Sequence, residues 1–342
     1  MIVQVGPYPE PIGGISIYIK RMKEHMDTLE IKNEVWDISG VKKEKKGVIQ
    51  EKLRYVPFKL LFRRDINVIH YNLCGIKPKI YIGLFNKFFY GKVKKIITIH
   101  GDCENTLKKN RKSLIKALNS FDCIICVKAG DGKRLKEAGL RKPVYDIPAF
   151  IYPIIEEEQI IPSYITDFLK EKSFIICSNA TSMRFYNNVD LYGIDMCIDL
   201  VIALKAQGIK AKMLFCLPNI DNEEYYGQLV NKINENGIEN DFLFIHENME
   251  LWPIIKKSNL FIRATNVDGY ALSVAEAIHC NVPVIASNVG SRPEGTILFQ
   301  SRSSEELFNA ALKVIEEYEF FRQNVEKLKS KDYLEELLSL YR

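Results

Sequence analysis

The sequence LFIRATNVDGYALSVAEAIHCNVPVIASNVGSRPEGTILF, residues 260–299, changes residue type in a definite order. Leu260-Phe261-Ile262 is a short apolar run, and Asn266-Val267-Asp268-Gly269 is turn chemistry. Ser273 stands where it would cap a helix carrying Val274, Ala277 and Ile278. Cys280-Asn281 ends that helix, and Val282-Pro283-Val284-Ile285-Ala286 is a second apolar strand. A Gly-bearing loop at a helix N-terminus aims free backbone N–H groups and the positive dipole end at whatever lies above it, which suits a phosphate. Asp268 lies just before that end and Glu276 eight residues later, so two carboxylates are placed to accept hydrogen bonds from hydroxyls.

Outward from this stretch the same alternation recurs. Strands are predicted near residues 2–5, 35–38, 67–72, 95–100 and 121–127, and again near 173–178, 211–217 and 242–246. Helices are predicted over about 15–26, 128–138, 194–207 and 223–236. The acidic, Pro-containing segment 152–172 separates the two series. Alternation in two halves predicts an α/β protein of two doubly wound, Rossmann-like domains facing each other across a cleft. Gly13-Gly14 opens the first helix after the first strand, without a G-x-G-x-x-G pattern.

The 342 residues are enough for two cores, and 47% hydrophobic with 27% charged residues is the composition of a globular protein. No apolar run is long enough to span a bilayer, and residues 1–9 lack the features of a secretory signal. The eight cysteines are scattered; Cys123-Ile-Ile-Cys126 has metal-ligand spacing but lies in an apolar run, and reads as strand interior. Charge divides unevenly. Residues 1–150 hold 30 Lys and Arg against 15 Asp and Glu, whereas 151–342 hold 18 against 28. The basic half interleaves cations with large apolar residues at 41–65 and 77–95, a combination that suits an anionic membrane surface; two ordinary surface helices are the plainer alternative. No nucleic-acid recognition motif accompanies the charge.

With Asp268 and Glu276 separated by seven residues, and NVPVIASNVGSRPEG after the helix, the sequence resembles the retaining glycosyltransferases of family 4, of the polysaccharide-biosynthesis type. The resemblance covers nearly the whole chain and implies the GT-B fold, with an acceptor domain over 1–152, a nucleotide-sugar domain over 153–320, and a helix in 321–342 packing back on the first. It implies that Gly269, Tyr270, Ala271, Leu272 and Ser273 meet the donor sugar and diphosphate, that Glu276 binds the ribose, and that Asp268 is catalytic. Asn179, and Asn248 in the segment 246–250, join the donor site. Gly13 and Gly14 approach the donor from the first domain, where His100, at the end of a strand, positions the sugar.

The departures are as specific as the matches. Asp268 stands where the family usually has Glu. The family's phosphate-neutralising Arg and Lys are missing, with Ser178-Asn179-Ala180 and Tyr192 in their places. Arg184, taken here as catalytic, Arg263 or Arg292 could supply the charge. The expected activity is transfer of a sugar, with retention, from a nucleotide donor (a UDP-sugar) to a saccharide acceptor, expected to be lipid-linked, in cell-surface polysaccharide synthesis. No metal and no other cofactor are expected, and the expected place is the cytoplasmic face of the membrane. A silent nucleotide-sugar-binding subunit and a nucleotide-sugar epimerase are the alternatives.

Overall fold

A computed structural model describes residues 1–342 apart from 11, 42–43, 87–92, 102, 155–160, 269–270 and 329–332. The chain divides into two compact units, Met1–Ile154 with Asp332–Arg342, and Ile155–Lys331.

The first unit contains β1 (Ile2–Gly6), α1 (Gly14–Thr28), β2 (Asn33–Asp37), β3 (Val48–Gln50), α2 (Val56–Phe62), β4 (Val68–Asn72), α3 (Ile76–Asn86), β5 (Lys94–Ile99), α4 (Cys103–Leu118), β6 (Cys123–Cys126), α5 (Asp131–Glu137) and β7 (Val144–Asp146). Its seven strands are parallel and lie in the order β3-β2-β1-β4-β5-β6-β7. A parallel sheet is covered on both faces, and the period of two along each strand sorts the side chains. Val3, Val5, Ile69, Tyr71, Ile97 and Ile124 face one core with Val56, Ile82 and Leu114. The opposite face lies under Ile19, Met22 and Met26 of α1 and under Leu334 and Leu337 from the end of the chain.

The second unit contains α6 (Ser163–Phe168), β8 (Phe174–Asn179), β9 (Phe185–Tyr186), β10 (Val189–Asp190), α7 (Ile194–Ala206), β11 (Ala211–Cys216), α8 (Glu223–Glu235), β12 (Phe242–Ile245), α9 (Trp252–Ile255), β13 (Leu260–Arg263), α10 (Leu272–His279), β14 (Val284–Ser287), β15 (Ile297–Phe299), α11 (Ser304–Glu316) and α12 (Tyr318–Glu326). Six parallel strands lie in the order β12-β11-β8-β13-β14-β15. A last helix, α13 (Tyr333–Ser339), belongs to the first unit. The end of the chain is thus two helices in two units, where the resemblance implied one in 321–342.

Strand order matters because it reverses at β1/β4 in the first sheet and at β8/β13 in the second. Ligands of open α/β sheets bind beyond the carboxyl ends of the strands at such a reversal. Asn72 and Gly6 end the strands at the first reversal, Asn179 and Arg263 those at the second.

Between β8 and α7 the chain makes a β-hairpin, β9–β10, whose two turn residues Asn187 and Asn188 have φ of 50° and 62°. Paired positive φ is the two-residue turn that matches strand twist, and Asn tolerates it. Asp190, at the end of the hairpin, accepts hydrogen bonds from the N–H groups of Tyr192, Gly193 and Ile194 at 2.9, 3.2 and 2.9 Å, closing the N-terminus of α7. Tyr225 Oη donates to it at 2.8 Å. Burial pushes the Asp190 carboxyl above the usual carboxylate range despite these donors. Gly193 has φ of 71°, and a Cβ there would lie 2.5 Å from the Ala264 carbonyl oxygen, so only glycine fits.

Candidate functional site

Arg263 ends β13 and reaches across the second sheet's reversal. Its Nη1 donates to the Asn179 carbonyl at 3.1 Å and to Asn179 Oδ1 at 3.2 Å. Its Nε donates to Asp268 Oδ2 at 3.0 Å, and the guanidinium lies 5.3 Å from the centre of the Tyr192 ring. Arg292 donates from Nη1 to the same Asp268 oxygen at 2.8 Å, and from Nε and Nη2 to the carbonyl and hydroxyl of Ser287 at 3.1 and 3.2 Å. Ser287 in turn donates to the Thr265 carbonyl at 2.6 Å. Burial works to raise the Asp268 carboxyl, but Arg263 and Arg292 outweigh it and hold the carboxyl below the usual range. Two guanidiniums around one carboxylate sum to one positive charge, little exposed to water: the Arg263 and Arg292 side chains are 12% and 4% exposed.

Beside this cluster α10 begins at Leu272, with Ala271 as its cap residue in extended backbone and no side-chain cap. Ser273 therefore does not cap the helix. The Ala271 carbonyl already accepts from Val274 and Ala275, so Ser273 falls inside the first turn. Glu276 is buried on the same helix. Gly269 and Tyr270 lie outside the described residues.

The other sequence-derived candidates are placed less centrally. Arg184 is exposed, and its Nε donates to Ser182 Oγ at 3.1 Å. Asp268 is instead bound by the two arginines that the sequence offered only as substitutes. Asn248 is exposed in the segment after β12. There His246 Nδ1 donates to the Leu217 carbonyl at 2.8 Å, leaving Nε2 to accept from Tyr226 Oη at 3.1 Å. Asn179 is part of the arginine cluster.

In the first unit His100 follows β5. Its Nε2 lies 2.8 Å from Asn72 Oδ1, which only accepts in the amide orientation of the structure, so Nε2 carries the proton. Burial lowers the His100 pKa to about 3, with His70 and Lys79 adding to the shift, so the ring is neutral. Neutral imidazole with Nε2–H committed keeps a lone pair on Nδ1. Gly13 caps α1 with an extended φ of −165°, and Gly14 is the first helical residue; both are exposed. A Cβ at Gly13 would meet only Ser16 Oγ, at 4.0 Å. Among the described residues no group of three or more His, Cys, Asp or Glu could hold a metal ion.

Residues 185–328 match the family model of the glycosyl transferases group 1. Solved structures match along almost all of the chain. A glycosyltransferase from Rickettsia africae aligns at TM-score 0.69 with 12% identity, over 99% of this chain and 97% of its own. Alr3699/HepE of Anabaena, in complex with UDP, aligns at 0.68 with 15% identity over 99% and 98%. Sucrose-phosphate synthase of Thermosynechococcus elongatus aligns at 0.69 with 14% identity over 100% and 98%. The fold is GT-B. The GT-B match is structural; among curated proteins no sequence matches significantly. Within this GT-B chain, the matched family segment holds Tyr192, Arg263, Asp268, Glu276 and Arg292, whereas Asn179 and Arg184 lie before it.

Arg263 as the centre of the cluster was missed in the sequence because its partner Asn179 is 84 positions away. The available signal was its place as the last residue of a buried strand, where a lone cation must find partners.

Proposed function

We propose that the chain is a retaining glycosyltransferase that moves a sugar from a UDP-sugar to a saccharide acceptor, of the lipid-linked kind used in cell-surface polysaccharide synthesis. The observation that carries the reading is the arginine cluster at the second sheet's reversal, beside the uncapped start of α10. Transfer breaks the bond between the anomeric carbon and the diphosphate oxygen, and negative charge grows on that oxygen. Preorganised donors in a site shielded from water stabilise such charge most. Arg263 and Arg292 would meet it with fixed guanidiniums, and Asp268 keeps them aimed. The acceptor oxygen forms its new bond on the face that the diphosphate leaves, and its proton passes to the departing phosphate. Glu276 would hold the ribose hydroxyls, and Asn179, Ala271, Leu272 and Ser273 would line the phosphate and sugar. His100 would accept a hydrogen bond from a sugar hydroxyl at Nδ1, with Gly13 and Gly14 leaving room for the ligand. The UDP complex of the HepE structure supports the choice of nucleotide.

The exposed face of α2 supports binding to an anionic membrane, since Phe58 and Leu61 are half exposed and Phe62 is 84% exposed. The test of the activity is release of UDP from UDP-glucose and related donors, with and without membrane extract as acceptor. Arg263→Ala should lower kcat/KM by about 100-fold or more, the scale of one lost transition-state donor, and Arg184→Ala should change it little. Donor binding without turnover by the unaltered protein would replace this reading with a silent binding subunit.

A further inference from the structure

The face of the first sheet beneath α1 and α13 is not wholly apolar. Gln4, His70, Asn72 and Thr98 are fully buried there, and the strand registers set Gln4 beside His70 and Asn72 beside Thr98. Buried polar groups cost stability unless they are hydrogen-bonded. Among the described residues neither amide atom of Gln4, nor Asn72 Nδ2, has a partner. A core that breaks the packing rule locally usually does so beside a functional site.

The polar side chains form a line. Leu340 and Tyr341 close a tight turn on the carbonyls of Leu337 and Leu338, just beyond α13. This turn puts the Tyr341 hydroxyl 2.6 Å from His70 Nδ1, with the rings edge to face at 5.6 Å. His70 Nε2 is 2.7 Å from Thr98 Oγ1, and the Tyr18 ring stands edge-on to His70 with centroids 6.5 Å apart. The Tyr18 ring stands edge-on to His100 at 5.3 Å. On its other side His100 is held by Asn72, two residues along the same strand as His70. Burial keeps His70 neutral, with a pKa lowered to about 3, so it has one donor and one acceptor nitrogen. The line runs in either sense, with Tyr341 donating to His70 Nδ1 and His70 Nε2–H to Thr98, or Thr98 donating to Nε2 and Nδ1–H to Tyr341, and in both the two hydroxyls hold the ring between them.

We propose that Tyr341 is a positioning residue for His100, acting through His70, Thr98 and Tyr18, so that the last turn of the chain orients a ring of the first unit's candidate site. The Tyr341 and Thr98 hydroxyls together hold the His70 ring in place, and His70 stands against the Tyr18 ring, the aromatic wall that also faces His100. The proposal rests on the reading that His100 touches a sugar hydroxyl, but the orientation itself can be observed without turnover.

The test uses the full chain with 15N-labelled histidine, the five histidine rings being assigned by single His→Gln substitutions. The unaltered protein should show His100 protonated at Nε2 and bare at Nδ1. Tyr341→Phe, which removes one oxygen, should move those ring resonances. In UDP release from the donor that the unaltered protein turns over, it should also lower kcat on the order of tenfold, as small misplacements of catalytic groups do, with KM little changed. Leu334→Ala loses packing on α13 but keeps the hydroxyl line, and should leave both readouts as they were. Thr98→Val breaks the same line from the strand and serves if Tyr341→Phe does not fold. Unmoved His100 resonances in a folded Tyr341→Phe or Thr98→Val protein would overturn the proposal. If His100→Ala releases UDP at the unaltered rate, the role of His100 falls, while the ring resonances still decide the positioning.

Discussion

Glu276 is a carboxylate in an unusual place for a charge, 6% exposed on α10. It stands at the position that the proposed transfer gives to the ribose, and hydrogen bonds to a charged group are worth about 1.5–3 kcal/mol each. If its task is to accept from two ribose hydroxyls, Glu276→Ala should weaken UDP binding by roughly tenfold or more. Isothermal titration of the purified protein with UDP measures this directly, and equal affinity in the two proteins would remove Glu276 from the nucleotide site. Arg263 and Arg292 are held by Asp268, Asn179 and Ser287, so their role in the proposed transfer is to be rigid before the substrate arrives.

At the scale of elements, the hairpin β9–β10 exists to deliver Asp190 to the start of α7. The carboxylate takes four backbone donors at the start of that helix and a tyrosine hydroxyl, so removing it leaves buried donors without an acceptor. Asp190→Ala should cost about 1–3 kcal/mol, read as a lower urea midpoint, and Asp190→Asn should cost less because one carboxamide oxygen still accepts. An unchanged midpoint in the alanine variant would show that water replaces the carboxylate freely. The main strands and helices were legible because long apolar runs and 3.6-residue spacing survive in the sequence: β11 was expected over 211–217 and spans Ala211–Cys216. The hairpin was not read, since two-residue strands carry no alternation, although Asn187-Asn188 signalled a turn. Asp268 and Glu276 were legible from their spacing on one segment. The Arg263–Asn179–Tyr192 grouping was not, because it depends on β8 and β13 being neighbours in the sheet, which no local pattern encodes.

On the scale of the whole molecule the charge asymmetry asks for a partner outside the chain. Residues 1–150 carry an excess of fifteen cations, and several exposed apolar residues of the first unit lie on α2 and α3. Tyr55, Phe58, Leu61 and Phe62 on and before α2 are 48–84% exposed, and Leu84 of α3 is 48% exposed. Phe58 is in ring contact with Phe85, which ties the two helices into one patch. Not all nearby cations are available: Lys59 is paired with Glu51, and Arg63 with Glu34 and Asp65. Lys52, Arg54, Arg64 and Lys77 are exposed beside the same patch. No helix among the described residues is long and apolar enough to cross a bilayer. Aromatic insertion plus phosphate attraction predicts co-sedimentation with vesicles containing phosphatidylglycerol, weaker binding to phosphatidylcholine vesicles, and release as salt shortens the Debye length from about 10 Å at 0.1 M to about 3 Å at 1 M. The two contributions separate by mutation. Phe58→Ser with Phe62→Ser should leave initial attraction at low salt but lose retention, whereas Arg54→Gln with Arg64→Gln should weaken both. Binding that ignores lipid charge and salt would mean that the patch is apolar docking alone, and no binding to either vesicle would return α2 and α3 to the role of ordinary cover for the sheet.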